Sequence, residues 1–193
     1  NLIIPNEFPQ KIKNLVDTKY NQGLKDGYNT FWNGYLQDGK RQYFDHAFMY
    51  WSDSDFKPNH TMRPVSANYM FNRFNDYSRE IIDLEMLLNA QGVTIDFSKC
   101  LDLVQTFSTS YISRVGVIDT TNASSLKGTF ANANNLITID ELILKDDGSQ
   151  TFQDVFMGCK SLVNIKISGT IGKNGFYITS PNLSTDSITN IIN

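Results

Sequence analysis

The feature that most constrains this chain is that its second half repeats. Three stretches align, from Leu103 to Phe107, from Leu126 to Phe130 and from Phe152 to Phe156, each with an apolar residue four positions before a phenylalanine. A small residue (Ser110, Ala133 or Cys159) follows the phenylalanine by three positions, and an apolar one (Ile112, Leu136 or Leu162) by five or six. Short β-prone stretches come next, at 115–118, 137–139 and 165–167. The phenylalanines lie 23 and then 26 residues apart, within the range of stacked repeats. A unit of one helical or irregular segment plus one strand cannot bury its own apolar face, whereas stacking lets each layer cover the next. The pattern predicts one interior column of phenylalanine rings. It also predicts a tight backbone turn at the small position.

The flanks read as caps for such a stack. Residues 9–39 have the pattern of a helix: Pro9 suits a first turn, and Ile12, Leu15, Val16, Tyr20, Phe31, Tyr35 and Leu36 recur mostly at three- and four-residue steps. From 43 to 64 the pattern dissolves into an irregular, aromatic-rich connection. Asp76 or Ser78 is placed to cap a second helix carrying Ile81, Ile82, Leu84, Leu87 and Leu88 and ending at Gly92. Residues 93–97 alternate as a half-buried strand does. Asn174-Gly175, between Thr170-Ile171 and Phe176-Tyr177-Ile178, signals a hairpin. Ser184 caps a last helix with Ile188, Ile191 and Ile192 on its apolar side. The expected organisation is one compact α+β unit, with a helical N-terminal cap at 1–64 and a stack at 65–193 closed by a C-terminal helix.

Charge and composition exclude several function classes. Of the 193 residues 19% are charged and 12% aromatic, with a net charge of −3. Eight basic and seven acidic residues precede Pro64, and nine basic and thirteen acidic follow. Neither half has the basic excess that holds nucleic acid or anionic lipid. No window approaches eighteen consecutive apolar residues, so no membrane insertion is expected. Two cysteines and two histidines, scattered, make no zinc set. Asp53-Ser54-Asp55 lacks the glycine and distal glutamate of a calcium loop. Asp45-His46 with Cys100 or Cys159 supplies the atoms of a nucleophilic site, but Cys159 shares its repeat position with Ser110 and Ala133, which explains it as a small core residue. No enzyme, metal or cofactor is expected.

The stretch Ser125-Leu126 through Phe130 to Leu136 and Asp140 resembles the BspA-type leucine-rich repeats of bacterial surface proteins. The stretch from Phe152 through Phe156-Met157-Gly158-Cys159 to Leu162 and Ile165 resembles them more closely still. The segment Phe31 to Arg41 is similar to the leader before such repeats in some bacterial or prophage-encoded surface proteins. The resemblance runs over roughly residues 71–167. It implies a short right-handed leucine-rich-repeat solenoid, a secreted or cell-surface location (or a virion tail), and a non-enzymatic role in adhesion to an extracellular protein or glycan. Ser110 and Ala133 depart from the family's usual cysteine, and no motif identifies the ligand.

The expected binding face is the row of outward side chains on the strands: Thr94 and Asp96, Thr138 and Asp140, Asn164 and Lys166. Rigid parallel strands present such residues about 4.8 Å apart. Trp51, flanked by Ser52, Asp53 and Asp55, is the aromatic expected to be exposed. The alternative, of a different class, is a structural spacer or assembly subunit with no ligand of its own. An exposed aromatic patch on the ladder face favours binding, and a uniformly polar face favours the spacer.

Overall fold

A computed structural model describes residues 61–192, except Tyr77, Gln91, Lys173 and Asn174. The expected helix at 9–39, the aromatic connection up to residue 60, Trp51 and the Asp45-His46 pair lie outside the described residues. The described elements, in chain order, are β1 (Thr61–Met62), β2 (Ile82–Asp83), α1 (Leu84–Ala90), β3 (Thr94–Ile95), β4 (Ile112–Asp119), β5 (Thr138–Ile143), β6 (Asn164–Ser168) and α2 (Thr185–Ile192). Strands β2, β4, β5 and β6 form a four-stranded parallel sheet in that order, and β1 pairs with β3 in a separate two-stranded one. Arg114 pairs with Thr138, and Thr138 with Asn164. The chain therefore returns to the same register after each coil.

The rings of Phe107, Phe130 and Phe156 lie in one column, with centroids 5.4 Å apart at both steps and planes within 6° of parallel. A fourth ring, Phe71, extends it, stacking on Phe107 at 5.5 Å. The step exceeds the ~4.8 Å strand spacing because the rings are offset, the arrangement their quadrupoles favour. Both ends are closed by perpendicular rings. Phe74 meets Phe71 edge-on at 5.6 Å, and Phe176 meets Phe156 at 5.7 Å and Phe152 at 5.3 Å. Leu103, Leu126 and Phe152, four residues before their phenylalanines, are fully buried beside the column.

The segment carrying each phenylalanine is neither the short helix expected of it nor irregular. It is a run of interlocking turns. Alternate amides bond locally, i to i−3, as in Thr106 to Leu103, Ser108 to Gln105, Thr129 to Leu126 and Ala131 to Gly128. The amides between them bond to the next coil: Gln105 to Lys127, Phe107 to Thr129 and Thr109 to Ala131, then Gly128 to Gln153, Phe130 to Val155 and Asn132 to Met157. Such a run needs positive φ two residues before each phenylalanine (Tyr69, Gln105, Gly128, Asp154) and two after it (Arg73, Thr109, Asn132, Gly158). Non-glycine residues are strained there, and the inter-coil bonds hold them. At Gly158 a Cβ would also meet the Asn132 side chain at 2.6 Å. The small position is explained by the same geometry. Ser110 donates its hydroxyl to the Phe107 carbonyl of its own coil, and Cys159 donates its thiol to the Phe130 carbonyl of the preceding one.

The strands depart from simple alternation. In β4 the inward residues are Ile112, Val115 and Ile118, every third one, and in β5 they are Ile139 and Leu142. The pairing of β5 with β6 shifts between Ile139 and Leu142, so that Asp140 and Glu141 together oppose Lys166. This bulge adds one outward side chain to the face.

Two expectations are corrected, and the C-terminal helix gains a contact that was not expected. Asp83, not Asp76 or Ser78, caps α1, accepting the Met86 amide at 2.8 Å, because Ile82-Asp83 is spent on pairing with β4. Phe176 to Ile178 forms no hairpin with Thr170-Ile171. Ile178 instead bridges Phe156 in parallel and Phe176 closes the column, a larger gain in burial than an isolated hairpin provides. Helix α2 is capped by Ser184, whose hydroxyl accepts the Ser187 amide at 3.2 Å, and its isoleucines line an apolar groove with Phe176, Ile178 and Leu183 while another side of the helix meets β6. Ile188 and Ile192 are exposed, and Ser187 is the buried residue. The reason is the open edge of β6. Its Ile165 amide donates to Ser187 Oγ at 2.9 Å and its Ile167 amide to Asn190 Oδ1 at 2.6 Å. An orphaned buried amide costs about 1–3 kcal/mol, and α2 turns its polar side inward to satisfy two of them.

Truncating a ring inside the column should cost far more than truncating one at its end. Phe130→Ala is expected to lose ~3–5 kcal/mol of unfolding free energy in urea titration, and the half-buried Phe176→Ala clearly less. Equal losses would mean that the column is not the core.

Candidate functional site

The bulge in β5 organises the charged face of the four-stranded sheet. Asp140 reaches back across β4 and accepts two hydrogen bonds from Arg114, from Nε at 2.8 Å and from Nη2 at 2.7 Å. Arg114 also lies 3.8 Å from Asp83 on β2. Glu141 reaches forward to Lys166 on β6 at 2.9 Å and accepts a short hydrogen bond from Ser168. Two ion-pair clusters, Asp83–Arg114–Asp140 and Glu141–Lys166, thus together span all four strands. The Ser168 hydroxyl, then Lys166, hold the Glu141 carboxyl below the usual carboxylate range, while Asp140 lifts the Arg114 guanidinium further above its own.

Beside this network the sheet and α2 enclose a shallow cleft of about 540 Å³. Four of the expected face residues, Thr138, Asp140, Asn164 and Lys166, line it together with Ser184, Asp186 and Asn190 of the helical cap. Asn164 and Lys166 are exposed, and Thr138 and Asp140 half-buried. None of the four strands carries an aromatic residue. The exposed apolar side chains around the face are Val117 and Ile137. Asp140 and Lys166 are already paired with Arg114 and Glu141, most of the accessible lining is apolar, and with no aromatic residue on the strands the cleft is not built for stacking on sugar rings.

Thr94 and Asp96 do not belong to this row. Their strand pairs with β1, because the segment from α1 through β3 is an insertion that lengthens the coil between Phe71 and Phe107. Asp96 accepts the Ser98 amide at 3.0 Å and lies 3.4 Å from Arg63. Its hydrogen bonds from Ser98 are the largest cause of a carboxyl held below its ordinary range. What sequence reasoning missed is the partner set, Arg114, Glu141 and Ser168, and the contribution of α2. The polar residues at 184, 187 and 190 carried the signal, a hydrophilic stripe at helical spacing.

Cys100 and Cys159 are buried, and neither is in a disulfide. Burial pushes the Cys159 thiol up to about 12, the reverse of what a nucleophile needs. Among the described residues no three His, Cys, Asp or Glu side chains gather as a metal set, and no helix is long and apolar enough to cross a membrane.

Comparison of the chain with protein-family models, curated proteins and solved structures returns no match.

Two outcomes follow from these environments. A carboxylate whose folded pKa is depressed contributes stability above its unfolded pKa, about 4.3 for glutamate, and that contribution is lost as pH falls through the folded value. The urea midpoint should therefore hold from pH 7 to 5 and drop below about 4. Ser168→Ala should lower it at pH 7 more than at pH 3, flattening the acid limb, and an unchanged acid slope would contradict the assignment. Iodoacetamide at pH 8 should leave Cys159 unmodified in the native chain and alkylate it in 8 M urea, as peptide mass mapping can read.

Proposed function

We propose that this chain is a non-enzymatic, leucine-rich-repeat-type recognition module that docks an extracellular protein through the cleft between β5, β6 and α2. The observation that carries the reading is the convergence of Thr138, Asp140, Asn164 and Lys166 with helix residues in one preorganised cleft. Strand spacing, the phenylalanine column and the paired charges fix these side chains before any partner arrives, which lowers the entropic cost of binding. The largely apolar accessible lining and the lack of aromatic residues on the strands favour a protein over a glycan. Surface or secreted placement, or a virion tail, is part of the same proposal and rests on the repeat resemblance.

A second reading, a spacer or assembly subunit without a ligand, draws support from the same charge network. Arg114, Asp140, Glu141 and Lys166 are paired with one another, as on a face that only needs to be soluble.

An array of extracellular-matrix proteins and glycans probed with the full chain separates the two. The recognition reading expects a protein hit that Thr138→Arg with Asn164→Arg weakens at least tenfold. These two positions are preferable to Asp140 and Lys166, whose removal would strand Arg114 and Glu141. A hit that persists unchanged in the double variant refutes the cleft, and an array without hits supports the spacer.

A further inference from the structure

A second cavity, of about 200 Å³, lies where α1 and β3 cover the flank of β4. The buried part of its lining is apolar: Leu88, Val93, Phe97, Phe107, Val115 and Ile118. Its mouth is not apolar. The half-buried Glu85 and the exposed Asn89, Thr94 and Val117 make up its solvent-facing part. Asn89 donates to Glu85 Oε1 at 3.1 Å. Glu85 Oε2 occupies the space that a side chain at position 116 would take: a Cβ on Gly116 would meet that oxygen at 2.1 Å. The paired position on β5, one residue before Glu141, is Asp140. Glycine here is what lets the carboxylate fold over the cavity mouth.

The cavity exists because of the insertion. Strand β2 ends after two residues, at the Asp83 cap, so β4 beyond Arg114 has α1 and β3 beside it on that side rather than a strand hydrogen-bonded to it. The fit is loose enough to leave room. An apolar cavity of about 150 Å³ accepts a benzene ring, so this one has space for a single ring or a branched alkyl group. Glu85 sets the polarity of the head group. Arg114 feels its charge, but the guanidinium is committed to Asp140 and Asp83. Among the described residues no base lies within ion-pair distance of Glu85.

We propose that this cavity is a binding site for a small amphiphilic amine, an aryl or branched-alkyl group bearing a protonated nitrogen, with the apolar part against Phe107 and the ammonium on Glu85. It is separate from the β5–β6 cleft and stands whether or not that cleft binds a protein.

Titration of the full chain with 2-phenylethylamine, 2-phenylethanol and 3-phenylpropionate, followed by the methyl resonances of Leu88, Val93 and Val115, tests it. The amine should give saturable shifts at least tenfold tighter than either analogue. Glu85→Gln should abolish that preference while leaving the fold intact, and Val117→Trp, a change at an exposed mouth position, should block all three probes. Absence of saturable shifts with every probe would show that the cavity is only a gap in packing. Binding of the alcohol or the acid as tight as the amine, or a preference that survives Glu85→Gln, would overturn the assignment of the head group.

Discussion

Half of the backbone amides in each turn run find an acceptor only on the following coil. A coil on its own would leave those amides to water and its phenylalanine exposed, so no single repeat is a stable unit. The two requirements are met by one operation, laying the next coil in register. That brings Thr129 and Ala131 carbonyls to Phe107 and Thr109 amides, and it places ring over ring. Positive φ at five non-glycine residues, Tyr69, Arg73, Gln105, Thr109 and Asn132, is tolerated because the same bonds over-determine the backbone.

A stack of this kind must be terminated. At the last coil Phe176 turns its ring perpendicular to the column, and α2 supplies Ser187 and Asn190 to the edge amides of β6. The helix thereby does two things. It removes an open strand edge, a template for unwanted pairing, and it raises a wall beside β6 that turns an otherwise flat face into a cleft. The candidate site is thus a by-product of termination, positioned by the requirement to satisfy amides rather than by anything in the strands alone.

What was legible in the sequence follows from side-chain size and spacing. Phe107, Phe130 and Phe156 announce the column because a large ring recurs beside a small residue at nearly constant distance. Phe71 did not, since Phe74 stands where the others have a small residue, and the α1–β3 insertion stretches the next interval. The outward direction of Asp140 and Lys166 was readable from the strands, but their partners were not, because a bulge leaves no trace in a two-residue period. Thr94 and Asp96 fit the period and belong to another sheet. In α2 the apolar side of isoleucines was readable, but the polar side that meets β6 through Ser187 and Asn190 was not. The deciding quantity was the need of β6 for acceptors, which depends on where the sheet ends and is invisible until the coils are stacked. The N-terminal helix and Trp51 lie outside the described residues.

Native-state hydrogen exchange at the amides of Phe71, Phe107 and Phe130 tests this interdependence most directly, since each donates to the coil after it. A stack that holds together as one unit predicts that all three open only on global unfolding, with one common free energy and protection of about 10⁴ or more for a domain near the lower end of ordinary stability. Opening at three distinct and lower free energies, coil by coil, would contradict it.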